Sequence, residues 1–281
     1  MSEEENTLAI RRILVALDAS THSLAALKAA AELAAGLKAE LMGLYVEDEN
    51  LVHLAGLPFA TEVRSLSADS RSVNSNEMEV ALRLQASQAR RAMEAAAVES
   101  GAKWSFQVVR GQVTATILKA ALEADLLAMG RVGRPISSRS RLGSSARAAM
   151  TRAGRSVLLV KQGRHLHHPI LVTFDGSAAS RQALTAAAQL AQTAGDTLNV
   201  LLLDGIDKKD VLQQAAAAML EPMGVEAVYR QMAEASVAEL VRQIKTAESC
   251  VLVLGGDNPL LEAENIQELL DETDCPVMLV R

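Results

Sequence analysis

Short apolar runs alternate with helix-favouring segments along the first half of the chain. The run RILVAL at residues 12–17 precedes a segment of helical composition at 23–35, for which Gly36 is the predicted stop. Further strands are predicted at residues 40–46, 104–109, 125–129 and 156–160, and further helices at 76–100, 113–123 and 144–151. Between residues 47 and 75 the pattern is lost, and glycine, proline and serine indicate an irregular insertion that either covers a site or is mobile. The alternation predicts an α/β fold with a parallel sheet covered on both faces.

The pattern of the first strand and helix returns in the second half of the chain. The sequence ILVALDASTHSLAALKAAAELA from Ile13 corresponds to ILVTFDGSAASRQALTAAAQLA from Ile170, which aligns Asp18 with Asp175. The last strands also correspond, as SVLLV and PVMLV. The chain is therefore predicted to hold two tandem copies of one α/β domain. The predicted copies are residues 10–161 and 169–281, joined by a linker at 162–168.

Composition and charge narrow the class of protein. The chain has 281 residues, about twice the length of a typical domain, and a net charge of −6. Its aromatic content of 2% argues against stacking platforms for single strands, and its acidity argues against a general polyanion binder. No apolar run is long enough for a membrane span, and the opening MSEEEN is acidic where a signal peptide is basic. We therefore expect a cytoplasmic protein with neither a nucleic-acid nor a membrane partner.

The spacing of cysteine and histidine does not indicate a metal site. Cys250 and Cys275 lie far apart without a CxxC pair, so both are expected to be buried thiols. His165, His167 and His168 cluster in the linker without cysteine or acidic neighbours, and we interpret them as part of a polar connection.

The segment GRVGRPISSRSRLGSS, residues 130–145, is the strongest candidate for a ligand site. It runs from a predicted strand to a predicted helix, and Ser144 or Ser145 can cap that helix. The free N–H groups of a first helical turn favour a phosphate. Five arginines crowd this part of an acidic chain: Arg131, Arg134, Arg139, Arg141 and Arg147. The alternative interpretation is an ordinary glycine-serine loop with solvated arginines.

The order of the elements brings a second stretch to the same place. Ligands of parallel α/β sheets bind outside the carboxyl ends of the strands. Asp18 follows the first strand and Gly130 follows the fourth, so both are expected at one edge of the sheet. Asp18 and Asp175 also have a structural interpretation as caps of the following helices, which is favoured for Asp175.

These residues resemble the universal stress protein family, and the duplicated chain resembles its tandem-domain members. The motif is Gly130, Gly133, Gly143 and Ser144, together with the opening ILVALDAS. The resemblance implies five-stranded, adenine-nucleotide alpha-hydrolase-like (Rossmann-like) domains whose last strands pair. It further implies that Asp18 contacts ribose or adenine and that Ala16 and Val46 line an adenine pocket. By the same resemblance, Gly130 and Gly133 wrap the ribose and first phosphates, and Gly143, Ser144 and Ser145 hold the outer phosphates of ATP, with or without Mg²⁺.

The second copy departs from this motif after its fourth strand. Gly255 and Gly256 are followed by Asp257, Asn258 and Pro259, and then by acidic residues including Glu262, Glu264 and Glu268. Carboxylates facing a phosphate repel it. The second copy is therefore predicted not to bind nucleotide.

Three functions remain open from the sequence. The first is a stress-response regulatory protein that binds ATP in its N-terminal copy and signals to protein partners that the sequence does not identify. The second is a slow ATPase or phosphotransferase, although the chain has neither a P-loop nor a kinase signature and no catalytic residue or metal ligand is assigned. The third is an interaction module without nucleotide. The copies are expected to pair as an internal pseudo-dimer, and homodimerisation of the chain stays open.

Overall fold

A computed structural model gives the fold of the chain. The described residues are 10–58, 61–63, 70–72, 74–132, 142–163, 166, 169–195, 197–203, 209–232, 236–247, 251–256, 258 and 263–281. The predicted Gly133, three of the loop arginines, Cys250 and the linker histidines lie outside them. The second predicted thiol, Cys275, is buried. Within the described residues no helix combines the length and apolar character needed to cross a membrane.

Strands and helices alternate through both halves of the chain. The first half contains β1 Arg12–Leu17, α1 Thr21–Leu37, β2 Glu40–Asp48, α2 Glu49–Ala55, β3 Thr61–Val63, β4 Ser70–Ser72, α3 Ser75–Ser100, β5 Trp104–Gly111, α4 Val113–Ala121, β6 Leu126–Gly130, α5 Ser144–Arg152 and β7 Ser156–Val160. The second contains β8 Ile170–Phe174, α6 Ala178–Ala194, β9 Leu198–Leu202, α7 Lys209–Leu220, a 3-10 turn Glu221–Met223, β10 Ala227–Gln231, α8 Val237–Thr246, β11 Val251–Gly255, α9 Ala263–Glu272 and β12 Val277–Val280.

The strands of both halves form one sheet, ten strands wide among the described residues. Its order is β10-β9-β8-β11-β12-β7-β6-β1-β2-β5. Each half therefore has five parallel strands in the order third, second, first, fourth, fifth. The prediction of two tandem five-stranded α/β copies is confirmed. The halves join where β7 lies antiparallel to β12, with Leu158 opposite Met278.

The core lies on both faces of this sheet because inner strands such as β1 are buried on both sides, whereas the edge strands β5 and β10 are partly exposed. Ile13 and Val15 of β1 belong to the cluster that packs on α1, α3 and α6, whereas Leu14 and Ala16 belong to the cluster on the opposite face. This burial explains why the strands appear in the sequence as continuous apolar runs rather than as alternating patterns.

Gly36 does not end the first helix, so that prediction is wrong. Helix α1 continues to Leu37, and Lys38 closes it in the left-handed conformation with φ of 55°. A Cβ atom at position 36 would lie 1.9 Å from Cγ2 of Thr193 on α6. The glycine is therefore required for close packing between helices of the two halves, and this contact is not visible in the local sequence.

The predicted irregular insertion contains regular structure. Strand β2 extends to Asp48, whose carboxylate then caps α2 by accepting from the N–H of Asn50 at 2.9 Å. Strands β3 and β4 form an antiparallel hairpin further along. The other predicted elements of the first half are present, with ends that differ by two residues or fewer.

Candidate nucleotide site

A cavity of about 470 Å³ opens at the carboxyl edge of the N-terminal half of the sheet. Seven of the eight residues predicted for the site line it: Ala16, Asp18, Val46, Gly130, Gly143, Ser144 and Ser145. The eighth, Gly133, lies outside the described residues. The strand ends and the start of α5 are thus brought together as the topology of a parallel sheet requires.

Asp18 shapes the turn between β1 and α1. Its Oδ1 accepts from the N–H of Ser20 at 2.9 Å, and the Oγ of Ser20 caps α1 by accepting from the N–H of Ser23 at 3.1 Å. The interpretation of Asp18 as the helix cap is therefore wrong. Asp18 is one of the residues that line the cavity.

The C-terminal half forms the same turn with the same hydrogen bonds. Asp175 Oδ1 accepts from the N–H of Ser177 at 2.9 Å, and Ser177 caps α6, so the favoured interpretation of Asp175 as the cap is also wrong. Burial opposes the charge of Asp175, but hydrogen bonds from Ser177 and Ser180 outweigh it and lower the pKa of the carboxyl. Because both halves build the turn, it does not by itself indicate a nucleotide.

The start of α5 differs from its prediction. Gly143 is the N-cap and, among the described residues, no side chain caps the helix, so Ser144 and Ser145 are its first helical residues. The carbonyl of Gly143 accepts the first helical bond, from the N–H of Arg147 at 2.9 Å. The N–H groups of residues 144–146 precede that bond and have no acceptor within the helix. The positive end of α5 therefore lies against the cavity without a capping side chain over it.

Gly130 lies in close contact with the start of helix α1, which leaves no space for a side chain. A Cβ atom there would lie between 2.8 and 2.9 Å from His22 and Ser23 at the start of α1. Gly255 holds the corresponding place in the C-terminal half, where a Cβ atom would lie 2.7 Å from the backbone of Ala179. The same constraint in both halves shows that the close approach of strand and helix requires this glycine.

Arg131 does not lie in the cavity. Its residue is only 2% exposed, and its guanidinium donates to the carbonyls of Leu270, Thr273 and Cys275 in the C-terminal half. Burial lowers the pKa of this arginine, although Cys275, Asp274 and Asp271 oppose the shift. Arg131 is one of the five arginines that crowd the candidate loop in the sequence, but its charge is not placed in the cavity. Arg134, Arg139 and Arg141 lie outside the described residues.

Helices that the sequence did not connect with the site complete the cavity wall. Leu51 of α2, Leu82 and Gln85 of α3, and Val113 and Ile117 of α4 all line it. Gln85 accepts a hydrogen bond from the hydroxyl of Tyr45 at 2.9 Å. In the sequence Leu82, Val113 and Ile117 appear only as apolar helix positions, and Leu51 lies where no regular pattern is seen, so no local signal assigns them to a site. Among the described lining residues, the acidic groups are Asp18 and Asp48.

The corresponding place in the C-terminal half is occupied by side chains. Thr173 takes the position of Ala16, and its hydroxyl accepts from Nδ2 of Asn258 at 3.0 Å. Thr173 is fully buried and Asn258 is 8% exposed. The N–H of Asn258 also donates to the carbonyl of Gly255 at 3.1 Å. The segment after β11 thus returns over the end of β8, where the N-terminal half keeps space.

Comparisons with known proteins agree with this architecture. The sequence model of the universal stress protein family matches residues 9–161. A universal stress protein from Archaeoglobus fulgidus is 16% identical over 96% of each chain, with a TM-score of 0.71. A functionally unknown protein from Pseudomonas aeruginosa PAO1 is 17% identical, covers 98% of this chain and 93% of its own, and has a TM-score of 0.60. Among curated proteins, no sequence matches the chain.

The two solved structures extend over both halves, and at their identities they show a shared fold. The family match covers the half that contains the cavity, and it spans more than half of the chain. The resemblance noted in the sequence is therefore confirmed, and this chain belongs to the universal stress protein family.

Proposed function

We propose that this protein is a cytoplasmic regulatory protein that binds ATP in its N-terminal half, while its C-terminal half binds no nucleotide. Membership of the universal stress protein family supports a role in the stress response. The observation that carries the proposal is the cavity of about 470 Å³ between Asp18 and the uncapped start of α5. Its volume is within the usual range of about 300–1,000 Å³ for small-molecule sites.

The cavity offers an apolar wall for a base and an acceptor for a sugar. Ala16, Val46 and Ile117 contribute apolar surface to one wall, as a purine ring requires. The carboxylate of Asp18 accepts hydrogen bonds, so it suits the ribose hydroxyls. In this arrangement Gly130 lies beside the ribose. Gly133 is outside the described residues, and its proposed role at the first phosphates rests on the family motif alone.

The start of α5 suits the phosphates. The N–H groups and positive dipole of a helix N-terminus attract anions, and Gly143 leaves them without a capping side chain. Ser144 and Ser145 add hydroxyl groups there, of which the Ser145 hydroxyl already lies 2.9 Å from that of Thr114. Asp18 and Asp48 would repel a bare triphosphate, so Mg²⁺ is proposed to enter with it, and Asp18 would contact the ion through water.

Helix α2 provides a route from the site to partners. Leu51 lines the cavity and is itself partly exposed, and Leu54 and Leu57 nearby are exposed as well. A nucleotide that contacts Leu51 therefore biases the position of an apolar surface that a protein partner can contact. This arrangement supports a regulatory protein more directly than it supports an enzyme.

The first experiment identifies the ligand. The protein is purified without added nucleotide and denatured, and the released molecules are identified by chromatography and mass. Calorimetry with ATP, ADP, AMP, cyclic AMP and adenosine then measures the affinity that each phosphate contributes, with and without Mg²⁺. We expect one equivalent of ATP per chain and weaker binding as phosphates are removed, because the start of α5 attracts them.

Matched variants test whether the nucleotide site lies in the N-terminal half. Asp18→Asn should weaken ATP binding about tenfold, because a charged acceptor is replaced by a neutral one. Asp175→Asn changes the equivalent turn and should leave binding unchanged. A second bound equivalent that is lost in Asp175→Asn would contradict the assignment, and repeated release of ADP and phosphate within minutes would favour the slow ATPase instead.

A further inference from the structure

Arg131 connects the candidate site to the other half of the chain. Its neighbours on either side, Gly130 and Val132, both line the cavity. Its own side chain instead enters the C-terminal half at the end of α9. There it donates to the carbonyls of Leu270 at 2.8 Å and Cys275 at 2.9 Å, and to that of Thr273. These carbonyls lie at or beyond the last turn of a helix, where backbone acceptors have no helical partner and a cation is stabilised.

The backbone of Arg131 also holds the start of α5. Its N–H donates to the carbonyl of Val160 at the end of β7, over 2.9 Å. Its carbonyl accepts from the N–H of Gly143, also over 2.9 Å. Gly143 is the N-cap of α5, whose first turn is the phosphate end of the proposed site. Arg131 therefore contacts three parts of the molecule: its side chain binds the C-terminal half, its N–H binds β7, and its carbonyl binds the start of α5.

The C-terminal half contains a counterpart that makes the corresponding contacts. The guanidinium of Arg281 donates to the carbonyls of Met150 and Ala153 at the end of α5. When β7 is aligned with β12, Met150 aligns with Leu270 and Ala153 aligns with Thr273, so the two arginines bind equivalent carbonyls. Arg281 follows the last strand and lies beside Gly256, so its backbone does not lead to the N-terminal cavity. The two arginines make similar contacts between the halves, but they hold opposite ends of α5: Arg131 hydrogen-bonds Gly143 at its start, whereas Arg281 binds carbonyls at its far end.

We propose that the C-terminal half positions the phosphate end of the N-terminal site, and that Arg131 is the positioning residue through which it does so. The inference rests on the proposed nucleotide function and assigns a role to the copy that binds no nucleotide. Buried and bound to three carbonyls, Arg131 fixes its own backbone, and the backbone fixes Gly143 and the first turn of α5. Preorganised donors of this kind bind an anion without a cost of ordering at the time of binding.

The test uses Arg131→Met, which keeps the aliphatic stem and removes the donors, with Arg281→Met as the matched control. Affinity for ATP and for adenosine is measured by calorimetry on the full chain. In Arg131→Met we expect ATP affinity to fall about tenfold while adenosine affinity changes less than twofold, because only the phosphate end is displaced. Arg281→Met frees only the far end of α5 and should lower ATP affinity much less than Arg131→Met, because the hydrogen bond from Gly143 to Arg131 is kept. Arg131→Lys, which keeps the charge without the planar fork, should be intermediate and serves if the methionine variant does not fold.

A second measurement does not depend on nucleotide. Hydrogen exchange of the ligand-free protein should be faster at the amide of Gly143 in Arg131→Met than in the native chain, and unchanged there in Arg281→Met. Equal losses of ATP and adenosine affinity, or equal effects of the two variants, would overturn the positioning role. A native chain that binds no nucleotide refutes the proposed function, whereas an unchanged Gly143 amide in Arg131→Met refutes the role of Arg131.

Discussion

The two halves share the backbone turns at the ends of their first and fourth strands, but they differ in the side chains that surround these ends. Both have an aspartate that accepts from the serine two residues later, and both have a glycine that packs on the start of the half's first helix. In the N-terminal half these strand ends open on a cavity, whereas in the C-terminal half Thr173 and Asn258 meet at the same place. The shared features therefore maintain the fold. A site is indicated by open space and an uncapped helix start.

The largest effect is expected where the two halves are most alike. Gly130→Ala and Gly255→Ala should each lower the free energy of unfolding by about 2–3 kcal/mol, because the added methyl group collides with backbone atoms. Denaturant titration measures both losses. Gly154→Ala is a suitable control, since the nearest atom there is the flexible end of Leu122 at 3.5 Å. A harmless Gly130→Ala that abolished nucleotide binding would instead assign this glycine to the ligand.

An intermediate effect is expected where the halves differ in space. Ala16→Thr gives the N-terminal cavity the side chain of the C-terminal half and should weaken ATP binding about tenfold, or about 1.4 kcal/mol, by narrowing the base pocket. Calorimetry measures this change. The reverse substitution, Thr173→Ala, should create no binding, because Asn258 remains in place, and should cost about 1–2 kcal/mol of stability through the lost hydrogen bond. Nucleotide binding gained by Thr173→Ala alone would show that the second site is blocked only by this threonine.

The smallest effect is expected at the turn that follows the aspartates. Ala19 adopts a left-handed conformation with φ of 57°, and its counterpart in the C-terminal half is Gly176 with φ of 80°. Ala19→Gly should raise the free energy of unfolding by about 0.5–1 kcal/mol, because glycine adopts this conformation without steric cost. Thermal unfolding in the absence of nucleotide measures it. Gly176→Ala, the reciprocal change, should lower stability, and the same sign in both variants would show that the two turns are not equivalent.

Much of the fold was predictable from the sequence, and particular residues show why. The strands of a parallel sheet are buried on both faces, so runs such as ILVAL identify them without reference to the rest of the chain. The repeat identified the second half by comparison with the first. Helix α2 was missed because its start depends on one carboxylate, that of Asp48, rather than on an apolar pattern.

The candidate site was predictable only in part. The edge rule for parallel sheets brought Asp18 and Gly130 together, and the family motif added Gly143 and Ser144. Neither could show that α2, α3 and α4 also line the cavity, since Ile117 resembles any buried helix residue and Leu51 lies where the sequence shows no regular pattern. Charge was misleading at Arg131, because a positive side chain in a glycine-rich loop resembles a phosphate ligand until its carbonyl partners are known.

The sequence by itself determined the class of fold, the duplication, the edge of the sheet that holds the site and the family. These properties depend on periodicity and repetition, which are local or can be compared along the chain. Only the tertiary structure decided which packing contacts Gly36 and Gly130 make, where Arg131 binds, and that Asn258 hydrogen-bonds Thr173 at the place that corresponds to Ala16. Each of these depends on which atoms from distant segments come within a few ångströms, and contacts of that kind leave no regular trace in the order of the residues.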